Sequence, residues 1–253
     1  MISAMPSGLH VVRAGQGPQV LFIHGSAADH TTWSIQLASP LRERFTLVAY
    51  DRRRDAQTVE EHAADAAELL VDGRALIVGS SFGSVVALEL VRTRPELCAG
   101  AILIEPPMAA SDDLAAAPAA FLAELDRRAA EQGGPAAGEH FLRTVLGDSA
   151  FERMPRAFQE RSKQKWAEIR ADSGALLEYR PRYAELAAVD LPVLLLGGDR
   201  SASYFRATLE ALAAALPRAR MEVVAAAGHM LHAEAPRRFA ELLVSFAAEV
   251  GIE

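Results

Sequence analysis

The 253-residue chain contains a single cysteine, Cys98. One thiol cannot form an internal disulfide or a zinc site built from several cysteines. This scarcity favours a reducing environment, so we expect a cytoplasmic protein. The first ten residues, MISAMPSGLH, also lack the basic and apolar regions of a secretory signal, which agrees with that expectation.

Long hydrophobic runs and an excess of basic residues are both missing. The longest apolar runs, 75–79 and 191–196, have the length of a strand, whereas a membrane-spanning helix needs roughly 20 residues. Lys and Arg number 26 against 33 Asp and Glu, a net charge of −7, which argues against a nucleic-acid binder. We therefore expect a small-molecule substrate as partner, with no nucleic acid and no membrane; a monomer and a homodimer both remain open.

Hydrophobic residues make up 51 % of the chain, enough for a full core. Continuous apolar runs are typical of parallel strands covered on both faces. Such runs occur at 20–23, 45–49, 75–78, 101–104, 193–196 and 221–224, and residues 9–13 are typical of an N-terminal hairpin strand. Helical patterns separate the later runs, so the sequence predicts an α/β doubly wound sheet.

One stretch interrupts this alternation. Between about residues 107 and 191 no strand pattern is evident, and apolar residues recur at helical spacing. We interpret 107–191 as a helical cap inserted between two core strands. Residues 1–106 and 192–253 would then form the core.

The most specific motif is Gly79-Ser80-Ser81-Phe82-Gly83. It follows a predicted strand and precedes a predicted helix, the setting of a nucleophile elbow. A tight strand-to-helix turn leaves no room for a side chain at either glycine and exposes the central serine at a helix N-terminus, where negative charge is favoured. Ser81 is the candidate nucleophile, and Cys98 is not needed for that role.

A serine hydroxyl needs a base, and the base needs an orienting carboxylate. His229 lies between the last strand and the final helix, so we predict that it is the base. Asp199 lies shortly after the strand 193–196. The chain order Ser81, Asp199, His229 is the order found in serine hydrolases whose nucleophile lies on an elbow of this kind. Glu105, which follows the strand 101–104, is the alternative acid.

Stabilisation of an oxyanion requires backbone donors near the serine. The loop His24-Gly25-Ser26 follows the strand 20–23. We expect the N–H groups of Ser26 and Phe82 to form the oxyanion hole, with Ala27 as the alternative to Ser26. His24 is interpreted as a residue that shapes the loop.

Together these segments resemble the α/β-hydrolase superfamily, in the branch that contains esterases, cofactor-free haloperoxidase-like enzymes and C–C bond hydrolases. The resemblance covers nearly the whole chain and implies an eight-stranded, mostly parallel sheet with a helical cap, and no cofactor or metal. Two departures from the pattern stand out. Arg52-Arg53-Arg54-Asp55 replaces a glycine-containing loop, and Ser84 occupies a position that is often glycine. The arginines could fix this loop or widen the mouth of the pocket.

The resemblance implies a serine hydrolase that acts on a small-to-medium apolar ester through an acyl-enzyme. A C–C bond hydrolase or biosynthetic enzyme acting on a ketone or polyketide is the alternative, and a non-catalytic binding protein is a third possibility. Most aromatic residues of the cap are expected to pack within the cap itself. The candidate substrate contacts are His30, Trp33, Phe121, Phe141, Phe158 and Trp166.

Overall fold

The computed structural model describes residues 2–4, 9–70, 73–111, 116–179 and 183–252. Eight strands form one sheet in the order β1-β2-β4-β3-β5-β6-β7-β8. The strands are β1 (Ile2–Ala4), β2 (His10–Ala14), β3 (Gln19–Ile23), β4 (Thr46–Tyr50), β5 (Ala75–Ser80), β6 (Cys98–Ile104), β7 (Val193–Gly198) and β8 (Ala219–Val224).

The sheet is parallel from β4 to β8, and antiparallel pairs join β1 to β2 and β2 to β4. Every residue of β3 and β6 is buried, because helices cover both faces of the central strands. The six strands predicted from apolar runs and the hairpin strand predicted at 9–13 are all present. The three-residue β1 was not predicted, since so short a segment carries no readable pattern.

Eleven α-helices are found in the described residues. They are α1 (Ser34–Ala38), α2 (Val59–Glu68), α3 (Phe82–Thr93), α4 (Ala116–Gln132), α5 (Gly134–Leu146), α6 (Asp148–Arg153), α7 (Arg156–Lys163), α8 (Trp166–Glu178), α9 (Ser203–Ala215), α10 (Leu231–Glu234) and α11 (Pro236–Glu249). None of the described helices is both long enough and apolar enough to cross a membrane.

The segment between β6 and β7 contains α4 to α8, and its described residues include no strand. These helices have a small apolar core of their own, formed by Leu125, Leu142, Phe151 and Ile169. Ala27, which lies in the loop after β3, packs into the same cluster. The loop predicted to hold the oxyanion therefore touches the helices inserted between β6 and β7.

Candidate active site

Ser81 occupies a strained turn between β5 and α3. Its backbone has φ 54° and ψ −125°, outside the conformations that L-residues ordinarily adopt. The flanking glycines are required by close packing, as the sequence predicted. A Cβ atom at Gly79 would lie 2.2 Å from the carbonyl oxygen of Gly83, and one at Gly83 would lie 2.2 Å from the carbonyl oxygen of Ile23.

Hydrogen bonds connect this turn to the end of the neighbouring strand β6. The N–H of Ser81 donates to the carbonyl oxygen of Ile104 at 2.8 Å. The buried Ser84 hydroxyl donates to the same oxygen and accepts from the N–H of Ile104, both at 2.9 Å. The serine that stands where relatives often have glycine thus fixes the elbow to the strand that ends just before Glu105.

The carboxylate that contacts His229 belongs to Glu105. Its Oε2 lies 2.6 Å from Nδ1 of His229, and its Oε1 accepts a hydrogen bond from the N–H of Gly198 at 2.8 Å. Both side chains are almost fully buried. Glu105 has φ 45°, so its backbone is held in the left-handed region directly after β6. This contact leaves Nε2 as the imidazole nitrogen available to a hydroxyl.

The position of Asp199 corrects the sequence expectation. Asp199 is exposed in the turn after β7, where its N–H donates to the carbonyl oxygen of Val224. In the described structure no hydrogen bond joins it to His229. The loop after β7 instead contributes the N–H of Gly198, which donates to Glu105. The alternative acid named from the sequence is therefore the one that reaches the imidazole.

An aromatic ring supports the imidazole. Phe205, buried in the first turn of α9, stacks on His229 with ring centroids 4.4 Å apart and an interplanar angle of 17°. Phe205 shares the buried face of α9 with Leu209 and Leu212, and no sequence pattern distinguishes it from an ordinary core residue, so this contact was not predicted. Stacking restricts the rotation of the ring and keeps Nδ1 directed at Glu105.

The loop after β3 lies against Ser81. A Cβ atom at Gly25 would be 2.9 Å from the Cβ of Ser81 and 3.6 Å from its Oγ. Ser26 follows in a turn and lines the same cavity as Ser81. Phe82 is the first residue of α3, so its N–H has no acceptor within the helix. This placement agrees with the oxyanion donors expected from the sequence, whose role remains a proposal.

His24 bonds to the backbone of two loops. The N–H of Arg52 donates to Nε2 of His24 at 3.1 Å, so the proton resides on Nδ1, which donates to the carbonyl oxygen of Gly25 at 2.8 Å. Burial, reinforced by the Arg52 guanidinium, holds the pKa of His24 well below its ordinary value. A neutral imidazole that shapes the loop is the role expected from the sequence.

A cavity of about 520 Å³ opens above Ser81 and His229. Apolar side chains from α5, the segment 154–158 and α1 form much of its wall. They include Phe141, Leu142, Val145, Met154, Phe158 and Ile35. Phe158 and Ile35 are each more than 40 % exposed, unusual for large apolar side chains. Phe141 and Phe158 are therefore the two predicted substrate contacts that the structure places at this cavity.

Three other predicted contacts lie within apolar cores. Trp33 is fully buried between Phe22 and His232. The centroid of its ring lies 4.8 Å from that of Phe22 and 4.5 Å from that of His232. Phe121 and Trp166 pack against the apolar cluster of α4 to α8. None of the three is among the residues that line the cavity. Aromatic residues contribute strongly to core packing, and the spacing of apolar residues cannot distinguish that role from substrate contact.

His30 also lies away from the cavity wall. Its Nδ1 and its backbone N–H are each 2.8 Å from Oδ1 of Asp51, and its ring packs on His10 at 4.7 Å. These three residues are the one group in the described ranges whose ligand atoms are close enough to hold a metal ion, all within 4.8 Å of one another. None of them lines the cavity above Ser81.

Comparisons with known proteins identify the family of the chain. The sequence profile of the Alpha/beta hydrolase family matches residues 20–242. Carboxylesterase YbfK of Bacillus subtilis is 24 % identical over 256 residues, covering 94 % of this chain and 83 % of that protein. Similar solved structures include a thermophilic esterase from Thermogutta terrifontis (TM-score 0.78, 24 % identity, 98 % and 97 % of the two chains). An enol-lactonase from Burkholderia xenovorans LB400 is also similar (TM-score 0.78, 20 % identity, 98 % and 100 %).

The matched profile extends from β3 to α11 and includes the elbow, Glu105 and His229. The structural similarities, all below 25 % identity, concern the fold alone. The chain belongs to the alpha/beta hydrolase family.

Proposed function

We propose that this protein is a serine hydrolase that cleaves small-to-medium apolar carboxylic esters through an acyl-enzyme. The observation that carries the proposal is the 2.6 Å contact between Glu105 and His229, with His229 and the strained Ser81 lining one cavity. A nucleophile, a base and a carboxylate that orients the base are the groups that acyl transfer requires.

In the proposed mechanism, Oγ of Ser81 attacks the ester carbonyl while Nε2 of His229 accepts the hydroxyl proton. Glu105 fixes the tautomer with hydrogen on Nδ1 and stabilises the imidazolium that forms. His229 then gives the proton to the departing alkoxide, and the acyl group remains on Ser81. A water molecule, deprotonated by the same imidazole, releases the carboxylic acid and regenerates the serine.

The tetrahedral intermediates carry a negative charge on the former carbonyl oxygen. The N–H groups of Phe82 and Ser26 are the proposed donors to that oxygen, and α3 adds the positive end of its dipole. The loss of one such donor typically costs about 2.7–4 kcal/mol of transition-state stabilisation. Hydrogen bonds hold both the elbow and the loop after β3 in place. An oxyanion hole that is formed before the substrate binds requires such a fixed backbone.

The cavity wall supports the proposed substrate class. Phe141, Leu142 and Met154 offer a surface suited to an acyl chain or ring, and such surfaces favour neutral apolar ligands. The similarity to carboxylesterase YbfK and to the Thermogutta terrifontis esterase supports an ester as the bond cleaved. Because one of the similar structures is an enol-lactonase, cyclic esters should be tested as substrates as well.

The experiment is to measure hydrolysis of p-nitrophenyl acetate, butyrate and octanoate together with covalent labelling by a fluorophosphonate. The wild-type protein is expected to turn over at least one ester and to be labelled on Ser81. Ser81→Ala is expected to lose both activities. Ser80→Ala, which changes the neighbouring serine of the same motif, is the matched control and is expected to keep both.

The possible outcomes separate the candidate functions. Labelling of Ser81 without turnover of any ester would favour the C–C bond hydrolase. A wild-type protein that is neither labelled nor active would contradict a functional serine nucleophile. Labelling that persists in Ser81→Ala would place the nucleophile elsewhere.

A further inference from the structure

A buried ion pair connects a cap helix to the loop after β3. The guanidinium of Arg52 forms two hydrogen bonds with Asp172 of α8, Nη1 to Oδ1 at 2.9 Å and Nη2 to Oδ2 at 2.7 Å. Each side chain is only 5 % exposed. Asp172 also accepts a hydrogen bond from the hydroxyl of Ser26 at 2.7 Å. A bidentate pair shielded from water has a fixed geometry and is little screened by salt.

Arg52 also reaches the backbone of this loop, while its Nη1 lies 3.2 Å from Nε2 of His62. Nε donates to the carbonyl oxygen of His24 and Nη2 to that of Gly25, both at 3.2 Å. The guanidinium also lies 4.5 Å from the ring centroid of Phe82, which is the other proposed oxyanion donor. Arg52 therefore contacts both sides of the proposed oxyanion hole while Asp172 holds it in place.

The contact with Gly25 fixes the direction of a catalytic donor. The carbonyl of Gly25 and the N–H of Ser26 belong to one peptide unit. Because that unit is planar and trans, the two groups point in opposite directions. The carbonyl accepts from Nη2 of Arg52 and also from Nδ1 of His24 at 2.8 Å, and a carbonyl held on that side directs the N–H of Ser26 to the other side of the loop. Hydrogen bonding of the carbonyl to a cation also polarises the peptide and strengthens its N–H as a donor.

We propose that Asp172, through Arg52, orients the Ser26 N–H, so that placement of the cap helix α8 and formation of the oxyanion hole are coupled. Arg52 and Asp172 are positioning residues, since neither lines the cavity. The inference rests on the function proposed above and adds a role for the cap. The cap would then complete the catalytic site as well as shape the substrate pocket.

The helix α8 supplies a matched control. Glu168 lies one turn before Asp172 and pairs with Arg54 at 3.3 Å, so the same helix and the same arginine segment form a second ion pair. Arg54 is 82 % exposed, and within the described ranges it makes no hydrogen bond or ion pair with the loop after β3. Asp172→Asn and Glu168→Gln therefore make the same chemical change at the same interface, and only the first affects Arg52.

The experiment compares these variants by ester kinetics and by the rate of fluorophosphonate labelling, which also needs the oxyanion hole but requires no turnover. For Asp172→Asn we expect kcat and the labelling rate to fall about ten- to a hundredfold, with KM changed less than threefold. Glu168→Gln is expected to stay within twofold of wild type. Ser26→Ala, which removes one bond to Asp172 and keeps the backbone N–H, is expected to lose several-fold in kcat.

A double variant separates positioning from stability. Apolar replacement of a buried ion pair often preserves stability, so Arg52→Met/Asp172→Leu is expected to melt near the wild-type temperature and still label slowly. Equal labelling rates for wild type, Asp172→Asn and Ser26→Ala would overturn the inference, as would a stable double variant with wild-type kcat. If the double variant does not fold, the comparison of Asp172→Asn with Glu168→Gln decides. Failure of the wild-type protein to label would instead contradict the proposed function.

Discussion

The Oε2 atom of Glu105 lies 2.6 Å from Nδ1 of His229. This contact joins the end of β6 to the loop after β8, two segments separated by β7 in the sheet. A glutamate side chain, which is one methylene longer than that of aspartate, spans that gap. The N–H of Gly198, at the end of β7, donates a hydrogen bond to its second oxygen. The Glu105 carboxylate is therefore held at both of its oxygens.

The stacking of Phe205 on His229 predicts a kinetic effect without a large stability effect. Phe205→Leu keeps most of the buried volume, so we expect a loss of less than about 1.5 kcal/mol in the free energy of unfolding. The flat ring is lost, and kcat is expected to fall several-fold as the imidazole gains freedom. Urea unfolding and ester kinetics on the same preparation measure both quantities.

Leu212→Met is the control for this variant, because Leu212 is a buried residue of α9 two turns further along. Leu212→Met is expected to lower the free energy of unfolding about as much as Phe205→Leu does, and to leave kcat unchanged. An equal loss of kcat in both variants would mean that Phe205 acts only through packing.

The exposed Phe158 predicts a change in substrate preference. Phe158→Ala removes apolar surface from the cavity mouth, so KM for p-nitrophenyl octanoate should rise about fivefold, equivalent to about 1 kcal/mol of lost burial. KM for the acetate should stay the same, because a short chain would not reach this side chain. Val223→Ala truncates a similarly exposed residue outside the cavity and should change neither value. An equal change in KM for the acetate and the octanoate would argue against contact between Phe158 and the acyl group.

His232 predicts how stability depends on pH. Its ring is fully buried, neither ring nitrogen has a hydrogen-bond partner in the described structure, and burial lowers its pKa to about 3. The unfolded chain, with a histidine pKa near 6.5, therefore binds more protons between pH ~6.5 and ~3. Stability should fall as the pH decreases through that window, by up to about 1.4 kcal/mol per pH unit from this residue.

His232→Leu is expected to remove this contribution, so its urea midpoint should decrease less than that of wild type between pH 7 and pH 4. His140→Leu is the control, since His140 is only partly buried on α5. Parallel acid dependence in wild type and His232→Leu would show that the buried imidazole does not contribute.

Much of the fold was predictable because parallel strands and their turns leave strong local signals. Apolar runs identified the strands β3 to β8, the hairpin pattern at 9–13 identified β2, and the five-residue motif around Ser81 identified the elbow. His229 was predictable for a related reason, as it follows the last strand. These features depend on local sequence and on the order of elements.

The remaining parts of the site depend on contacts that are distant in sequence. Asp199 and Glu105 both follow a strand, and only the path of the two backbones determines which carboxylate reaches the imidazole. The contact between Arg52 and Asp172 spans 120 residues, and the arginine-rich segment left two interpretations open. In the structure Arg52 fixes the loop after β3. Trp33 was mistaken for a substrate contact because its burial against Phe22 and His232 is not visible in the sequence.

The measurement that tests the central claim most directly is kcat for Glu105→Gln and Asp199→Asn, an identical acid-to-amide change at the two candidate positions. A glutamine cannot both orient Nδ1–H and stabilise the imidazolium, so we expect Glu105→Gln to reduce kcat by about 10²- to 10⁴-fold. The exposed Asp199→Asn variant should keep kcat within twofold of wild type. Loss of activity in Asp199→Asn, with Glu105→Gln close to wild type, would contradict the account.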